Sequence, residues 1–294
     1  HGKGWSAMGF GTDGHSRRGI GAVIAAAGVM ALGGAATGGA VRASLVSDRA
    51  VVTAGETFTL GVVFEMDEGW HTYWRNPGDS GAPPRVSLTL PEGWEWGGMG
   101  SVEWPVPQRH ELPGRIVDYV YEGRVALLMP VRVGDGAKGG EVGEIRAEVE
   151  WLECDADRCV PGSARPVLRV EVGETSREGD GAGLIGAQRL KTPRAWESGE
   201  VVAAWDGATL ALRVDESAGK AARVEFFPYS AGDGSLMPTD DGERDWRGEG
   251  GEIRVGFDRG EVENGGFVLG NLLVERASGE REVWEVRVRA GGAD

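Results

Sequence analysis

The chain has 294 residues, enough for two ordinary domains that each bury a hydrophobic core. Its formal net charge of -15, from 46 acidic and 31 basic residues, argues against a nucleic-acid binder, which needs a basic surface to neutralise phosphates. Glycine is abundant, at 51 residues, but follows no period, which favours turn-rich β structure over collagen or a flexible linker.

The N-terminal segment has the pattern of an export signal. An arginine pair precedes an uncharged run over residues 19–41, and Val41 and Ala43 supply the small residues of a signal-peptidase site. We therefore expect a signal peptide over residues 1–43 and a mature start at Ser44. An uncleaved membrane anchor is the alternative, because about 20 residues can span a bilayer. Export places the cysteines in an oxidising compartment such as the periplasm, where disulfides persist.

The following segment reads as a β-sandwich. Short runs of β-branched and aromatic residues alternate with polar ones and are separated by Gly, Pro and Asp. This pattern predicts an antiparallel β-sandwich over residues 44–175. The predicted strands lie at 56–66, 84–90, 124–133, 143–154 and 164–172.

A polar, Gly-rich break at 176–183 marks the end of this domain. The segment 184–196 is predicted to form one short helix that ends before Pro193, so we place a linker at 176–198. A second, smaller β-sandwich-like domain is expected over 199–294, which makes the whole chain all-β. Its predicted strands lie at 208–216, 222–230, 251–258, 265–276 and 281–290.

The aromatic-rich run GWHTYWRNPGDSGAPP occupies residues 69–84. Trp70, Tyr73 and Trp74 can line a ligand groove, as exposed aromatics do in sugar-binding sandwiches. The commoner use of such residues is packing in the core or at its rim, where each buries about 150–250 Å². We predict core or rim packing.

Metal and cofactor sites have little support in the sequence. His71 and His110 lack a second ligand at metal spacing. Two cysteines separated by four intervening residues do not form the paired clusters of structural zinc, although a thiolate pair is a copper(I) ligand set. No nucleotide-binding or hydrolase motif occurs, and we expect no metal and no cofactor.

Cys154 and Cys159, the only cysteines, lie within WLECDADRCVP at residues 151–161. Because predicted strands flank them, the four intervening residues form the tip of a hairpin or bent loop, across which the sulfurs can meet. A disulfide that closes so short a loop adds only about 2 kcal/mol to stability by the loop-entropy estimate. On these grounds a structural staple and a redox-active pair remain equally open.

The charges around the pair bear on its reactivity. Three acidic residues disfavour a thiolate and only Arg158 favours one, so the pair is better suited to being attacked as a disulfide than to initiating exchange. Such a module needs a partner with a low-pKa cysteine, typically thioredoxin-like. Arg158 favours Cys159 as the sulfur that faces this partner.

Three runs taken together resemble the N-terminal periplasmic domain of DsbD-type protein-disulfide reductases, especially the longer ScsB-like branch. They are residues 69–84, the run VEWPVPQRHELPGRIVDYVYEGRVALLMPVRV at 102–133, and EWLECDADRCVPGSARPV at 150–167. The likeness covers about residues 45–172. The second half resembles the additional β domain of that branch in two weaker motifs, ARVEFFPYSAGD and GGFVLGNLLVER.

The resemblance implies an immunoglobulin-like sandwich whose cysteine pair passes electrons from a membrane-embedded partner, through a thioredoxin-like domain, to periplasmic disulfide substrates. Cys154 and Cys159 match the redox pair. The segment 116–123 falls where the family has a cap loop that shields the sulfurs. It makes three side chains candidates for the cap: Asp118, Tyr119 and Tyr121.

A full reductase of this type also carries a multi-helix membrane domain and a thioredoxin-like domain, which the sequence up to Asp294 does not include. We therefore expect a separately encoded thioredoxin-like protein or DsbD-like membrane reductase as partner, with disulfide-bearing periplasmic proteins as substrates. The alternative is a non-enzymatic periplasmic binding or assembly module in which the disulfide only pins a loop.

Overall fold

The computed structural model describes residues 39–196, 200–217, 219–239 and 247–290. The predicted leader lies outside these residues as far as position 38. The described chain is all-β, an immunoglobulin-like sandwich followed by a second, smaller β-sandwich-like domain. None of its helices is long and apolar enough to cross a membrane.

Two sheets form the first sandwich. One has the strand order β1-β3-β9-β6, and the other has the order β13-β2-β12-β10-β4-β8-β7, with β5 and β11 also paired to β10. The strand bounds are β1 (Val41–Ser47), β2 (Arg49–Val52), β3 (Thr57–Met66), β4 (His71–Gly78), β5 (Arg85–Thr89), β6 (Glu95–Trp96), β7 (Gln108–Leu112), β8 (Ile116–Glu122), β9 (Arg124–Arg132), β10 (Val142–Cys154), β11 (Cys159–Ala164), β12 (Val167–Val172) and β13 (Arg177–Glu178), and a 3-10 turn covers Gly98–Ser101.

Alternating burial explains how these strands form one core. Along β10, Ile145, Ala147 and Val149 are buried, and the residues between them are exposed or half-buried. Each fully buried side chain of this size stabilises the fold by roughly 1.5–3 kcal/mol relative to exposure, with alanine contributing less. The strands predicted from alternation, including those at 56–66 and 143–154, are confirmed.

The predicted packing of the aromatic run is confirmed for two of its three members. Trp74 and Tyr73 are almost completely buried, and the Trp74 ring contacts Tyr119 edge-on with centroids 6.0 Å apart. Trp70 is only half-buried, and the guanidinium carbon of Arg158 lies 5.3 Å from its ring centroid. One strand therefore supplies both a core tryptophan and a tyrosine on the opposite face.

The second half forms two further sheets with the orders β14-β21-β20-β17-β18 and β15-β16-β19. They enclose a core that includes Leu210, Phe226, Val255, Leu272 and Trp284. The bounds are β14 (Arg194–Ala195), β15 (Val201–Asp206), β16 (Thr209–Val214), β17 (Ala221–Pro228), β18 (Arg247–Glu249), β19 (Glu252–Gly256), β20 (Phe267–Arg276) and β21 (Arg281–Arg289), with helix α2 (Arg259–Glu263) and a 3-10 turn at Ala231–Asp233.

The segment predicted to be a linker packs closely on the first sandwich. Its helix α1 (Ala182–Arg189) begins two residues before the predicted segment and ends before Pro193, as predicted. Ile185 on this helix is buried against Val63, Ala126 and Leu128 on the outer face of the first sheet. Both faces of β3 carry apolar residues because one face packs in the core of the sandwich and the other packs against helix α1.

Strand β4 also contacts the second domain. The guanidinium Nη2 of Arg75 lies 3.0 Å from Asp233 Oδ1, and the Arg75 guanidinium stacks on the Tyr229 ring at 4.1 Å. The Asn76 side-chain amide donates to the Pro228 carbonyl at 2.8 Å. The described residues belong to a single compact unit, which these contacts help to hold together.

Candidate functional site

The two cysteines close the end of a hairpin. Strands β10 and β11 pair in a register that sets Cys154 opposite Cys159, and a disulfide joins them. At the tip, Asp155 Oδ1 accepts hydrogen bonds from the amides of Asp157 and Arg158, each at 2.9 Å. These amide donors lower the pKa of the Asp155 carboxyl, so the tip carries a fixed negative charge at neutral pH. The predicted hairpin tip is confirmed.

The two sulfurs differ sharply in exposure. Cys154 is 1% exposed and packs against Tyr73 and Val120, whereas Cys159 is exposed to solvent. An attacking thiolate must approach a disulfide along the bond that it breaks, so access decides which sulfur is attacked. The geometry leaves Cys159 accessible from solvent and shields Cys154.

Tyr73 is the closest polar contact of the buried sulfur. Its hydroxyl donates to Cys154 Sγ at 3.1 Å and lies 4.0 Å from Cys159 Sγ. Burial raises the pKa of the Tyr73 hydroxyl, which therefore remains a protonated donor at neutral pH. The side chain reaches the sulfur because β4 pairs with the end of β10, where His71 lies opposite Cys154.

A glycine-rich loop fixes the Tyr73 ring. Gly81 has a φ of +75°, and a Cβ at this position would lie 2.2 Å from ring carbons of Tyr73. Ser80 donates from its amide to Asp118 Oδ1 at 2.9 Å and from its hydroxyl to Asp118 Oδ2. The Val117 amide donates to Asp79 Oδ2 at 2.8 Å. Strand β8 therefore holds this loop over the tyrosine.

The predicted cap residues separate onto two faces of β8. Asp118 lines a groove of about 490 Å³ together with both cysteines. Tyr119 packs with Trp74 in the main core, and the Tyr121 hydroxyl donates to the Pro105 carbonyl at 2.6 Å. Because side chains alternate along a strand, the two tyrosines lie on the face of β8 opposite the sulfurs. Of the three candidates for the cap, the structure therefore places only Asp118 beside the sulfurs.

Two histidines lie on the rim of the same groove. The rings of His71 and His110 are 5.2 Å apart, and His110 Nε2 lies 3.0 Å from Glu122 Oε1. Burial, and next the neighbouring His110, lower the pKa of His71, so His71 is neutral near pH 7. Neither histidine has a second ligand at metal spacing, and no pattern in the sequence indicates that the two lie together. They are 39 positions apart, and only strand pairing brings them together.

Arg158 has two partners of its own at the hairpin tip. Its Nε lies 3.6 Å from Asp155 Oδ2, and its guanidinium lies over the Trp70 ring. The positive charge of Arg158 therefore lies beside the negative charge of Asp155 at the hairpin tip. The preference for Cys159 as the partner-facing sulfur now rests on exposure. Among the described residues, no group of three or more His, Cys, Asp or Glu side chains is arranged to hold a metal ion.

Comparisons with known proteins agree with this geometry. The family model described as thiol:disulfide interchange protein DsbD, N-terminal, matches residues 42–170. Among solved structures, the N-terminal periplasmic domain of ScsB from Proteus mirabilis aligns with a TM-score of 0.53 and 15% identity, over 84% of this chain and 92% of that chain. At this identity the alignment shows a shared fold.

Other matches add no argument. A variant of BcpA, the major pilin subunit of Bacillus cereus, aligns with a TM-score of only 0.25 and 9% identity, over 86% of this chain and 66% of that chain. No curated protein sequence matches the chain. The family match spans both cysteines, Tyr73 and the loop that covers it. Residues 42–170 of this chain are thus similar to the N-terminal domain of DsbD-type thiol:disulfide interchange proteins.

Proposed function

We propose that the Cys154–Cys159 disulfide accepts two electrons from a thioredoxin-like protein or a DsbD-like membrane reductase and delivers them to disulfide-bearing periplasmic proteins. The observation that carries this proposal is the asymmetry of the pair. One sulfur is exposed, and the other is buried beneath a hydroxyl donor. A bridge that only pinned a loop would have no need of a donor aimed at one of its sulfurs.

The exchange proceeds in two steps. A partner thiolate attacks Cys159 Sγ, a mixed disulfide forms, and the Cys154 sulfur leaves with the electron pair as a thiolate. Tyr73 donates its hydrogen bond to this thiolate as the charge develops, and charge-assisted hydrogen bonds are about twice as strong as neutral ones. The second thiol of the partner then displaces Cys159, which leaves this chain with two thiols and the partner with a disulfide.

The cap role belongs to the loop at 78–81 and to Asp118, which holds it in place. This loop covers the Tyr73 ring beside the buried sulfur, while Leu112 on the β7–β8 hairpin forms an apolar side of the groove. A partner must therefore place its cysteine into a bounded opening. The cap restricts exchange to proteins whose active-site surface fits this opening.

The acidic surroundings favour a particular kind of partner surface. Asp155, Asp157 and Glu122 line the groove, and the whole chain has a net charge of -15. Like charges repel an acidic partner, whereas a basic rim around the partner cysteine accelerates encounter at low salt. We place the exchange in the periplasm, because the ScsB domain of the same fold is periplasmic and the leader pattern predicts export.

The test uses a thioredoxin whose second active-site cysteine is replaced by serine, so that a mixed disulfide cannot resolve. It is mixed with the oxidised chain covering residues 39–294, and the linked peptide is identified by mass mapping after alkylation. We expect the linkage at Cys159. Linkage at Cys154 would overturn the assignment of the attacked sulfur. If neither a basic nor an acidic thioredoxin forms any linkage, the alternative holds, in which the chain is a binding module and the disulfide only pins a loop.

A further inference from the structure

The first strand extends upstream of the predicted mature start. Val41 is 1% exposed and pairs with Met66, and the Ala40 carbonyl accepts the Asp67 amide at 2.9 Å. A chain cut at Ser44 would lose the first three residues of β1 together with the buried Val41 side chain. A processed chain that keeps both this strand and the Ala40 hydrogen bond must begin at or before Ala40.

A buried carboxylate lies beside this strand. Glu153 is 2% exposed, and its Oε2 accepts the Val41 amide at 2.9 Å and the Trp151 indole N–H at 3.1 Å. Across the described residues no basic side chain forms an ion pair with Glu153. Arg158 lines the same cavity, of about 540 Å³, but its guanidinium is engaged with Asp155 at the hairpin tip. A buried carboxylate with neutral donors alone lacks a counter-charge, which is costly in a low-dielectric site.

Gly39 lies beside the other carboxylate oxygen. A Cβ built on Gly39 would lie 2.5 Å from Glu153 Oε1, so a larger residue here would require the carboxylate to shift. The α-nitrogen of Gly39 is bonded to the Cα that lies next to this oxygen. If the chain began here, an α-ammonium would be available at the buried acid and would supply the missing positive charge.

The sequence offers a cleavage site at this point. Ala36 and Gly38 are the small residues that signal peptidase requires three positions and one position before the cut bond. We propose that the exported chain is cut between Gly38 and Gly39 and that the new α-ammonium forms a buried ion pair with Glu153. Hydrolysis adds one water, leaving a carboxylate on the leader and the ammonium on Gly39. This inference rests on the proposed export.

The ion pair connects processing to the redox hairpin. Glu153 immediately precedes Cys154 on β10, and Val160 and Pro161 of β11 line the same cavity. Removal of the leader therefore creates the cation that ties the N-terminal strand to the base of the disulfide hairpin. The ion pair at the base of the hairpin forms only in the processed protein.

The first experiment locates the cut. Residues 1–294 behind an initiating methionine are produced in a Gram-negative host, and the periplasmic protein is identified by N-terminal sequencing and intact mass. We expect Gly39 as the first residue. Any other first residue on the periplasmic protein overturns the inference and leaves thiol exchange untouched. An uncleaved chain in the membrane or cytoplasmic fraction overturns both the inference and the proposed export.

The second experiment tests the ion pair through the pH profile of α-amine labelling at Gly39. Pairing with Glu153 raises the pKa of the amine, so we expect its labelling midpoint at least one unit above the ordinary range of about 7.7–8.0. In Glu153→Gln the midpoint returns to that range, and labelling at pH 7 becomes about tenfold faster. Glu150→Gln, on the exposed face of the same strand, is the matched control and keeps the high midpoint.

An ordinary midpoint in the unsubstituted protein contradicts the ion pair, even if its labelling is slow, because burial alone lowers the rate without raising the midpoint. The midpoint of the unsubstituted protein tests the ion pair by itself, whether or not Glu153→Gln folds. A raised midpoint that persists in a folded Glu153→Gln protein also overturns the assignment, because another acid would then hold the amine.

Discussion

Replacing Tyr73 by phenylalanine removes one hydrogen bond from the leaving sulfur and leaves the ring in place. The hydroxyl lies 3.1 Å from Cys154 Sγ. A hydrogen bond to a charged group contributes roughly 1.5–3 kcal/mol, and about half of the charge has developed at the transition state, so the barrier rises by roughly 0.7–1.5 kcal/mol. Since 1.36 kcal/mol is a factor of ten, we expect reduction by a thioredoxin to slow by about 3- to 12-fold.

The assay mixes the oxidised chain with excess reduced thioredoxin at pH 7, quenches with acid and counts free thiols by mass after alkylation. The matched control is Tyr121→Phe, which deletes an equally buried hydroxyl that donates to Pro105 and not to a sulfur. The control is expected to lose stability but to keep the exchange rate. A folded Tyr73→Phe protein that exchanges within twofold of the unsubstituted chain would refute the role of the hydroxyl.

Three further changes test the loop and the histidine beside the disulfide. In Gly81→Ala the new Cβ meets the Tyr73 ring, so thermal unfolding should show a loss about 1–3 kcal/mol larger than in Gly123→Ala, where φ is also positive but nothing lies within 4 Å; equal losses would contradict the close packing. Asp118→Asn removes one of the two carboxylate oxygens that accept hydrogen bonds from Ser80 of the loop, which should lower the free energy of unfolding in denaturant by roughly 1–3 kcal/mol. It should also speed reduction of the disulfide by dithiothreitol, and an unchanged rate of reduction would contradict a cap role. Because the pKa of His71 is lowered in the folded protein, the unfolded chain binds more protons below about pH 6.5, so the free energy of unfolding should fall as pH drops from 7 towards the folded pKa. His71→Gln should flatten this dependence of stability on pH. An unchanged dependence would show that another group causes it.

Much of the sheet structure could be predicted because alternation along a strand is a local signal. The run at 143–154 shows the two-residue period of a strand with one buried face, and the structure has β10 over Val142–Cys154. The hairpin tip could be predicted for the same reason, since Asp155 lies between two such runs and bonds its own backbone. Short-range chemistry was enough in both cases.

The contacts that shape the site depend on pairing between distant strands. Tyr73 and Cys154 are 81 positions apart, and no local pattern shows that a tyrosine in one strand will reach a sulfur in another. The sequence also could not show which side chains of β8 face the sulfurs. Residues Val117 to Tyr121 are all buried, and alternation gives no signal when both faces of a strand are covered. The resemblance to the cap loop groups Asp118 with Tyr119 and Tyr121, although Asp118 lies on the face of β8 opposite the two tyrosines.

The reduction potential of the Cys154–Cys159 pair tests the central claim most directly. It is measured on the chain covering residues 39–294, equilibrated in glutathione and thioredoxin redox buffers, with thiol trapping at each ratio. The account predicts a value between about -180 and -270 mV, the range of proteins that exchange disulfides. A value below about -300 mV, with no exchange with a thioredoxin, would identify a structural bridge and contradict the proposed function.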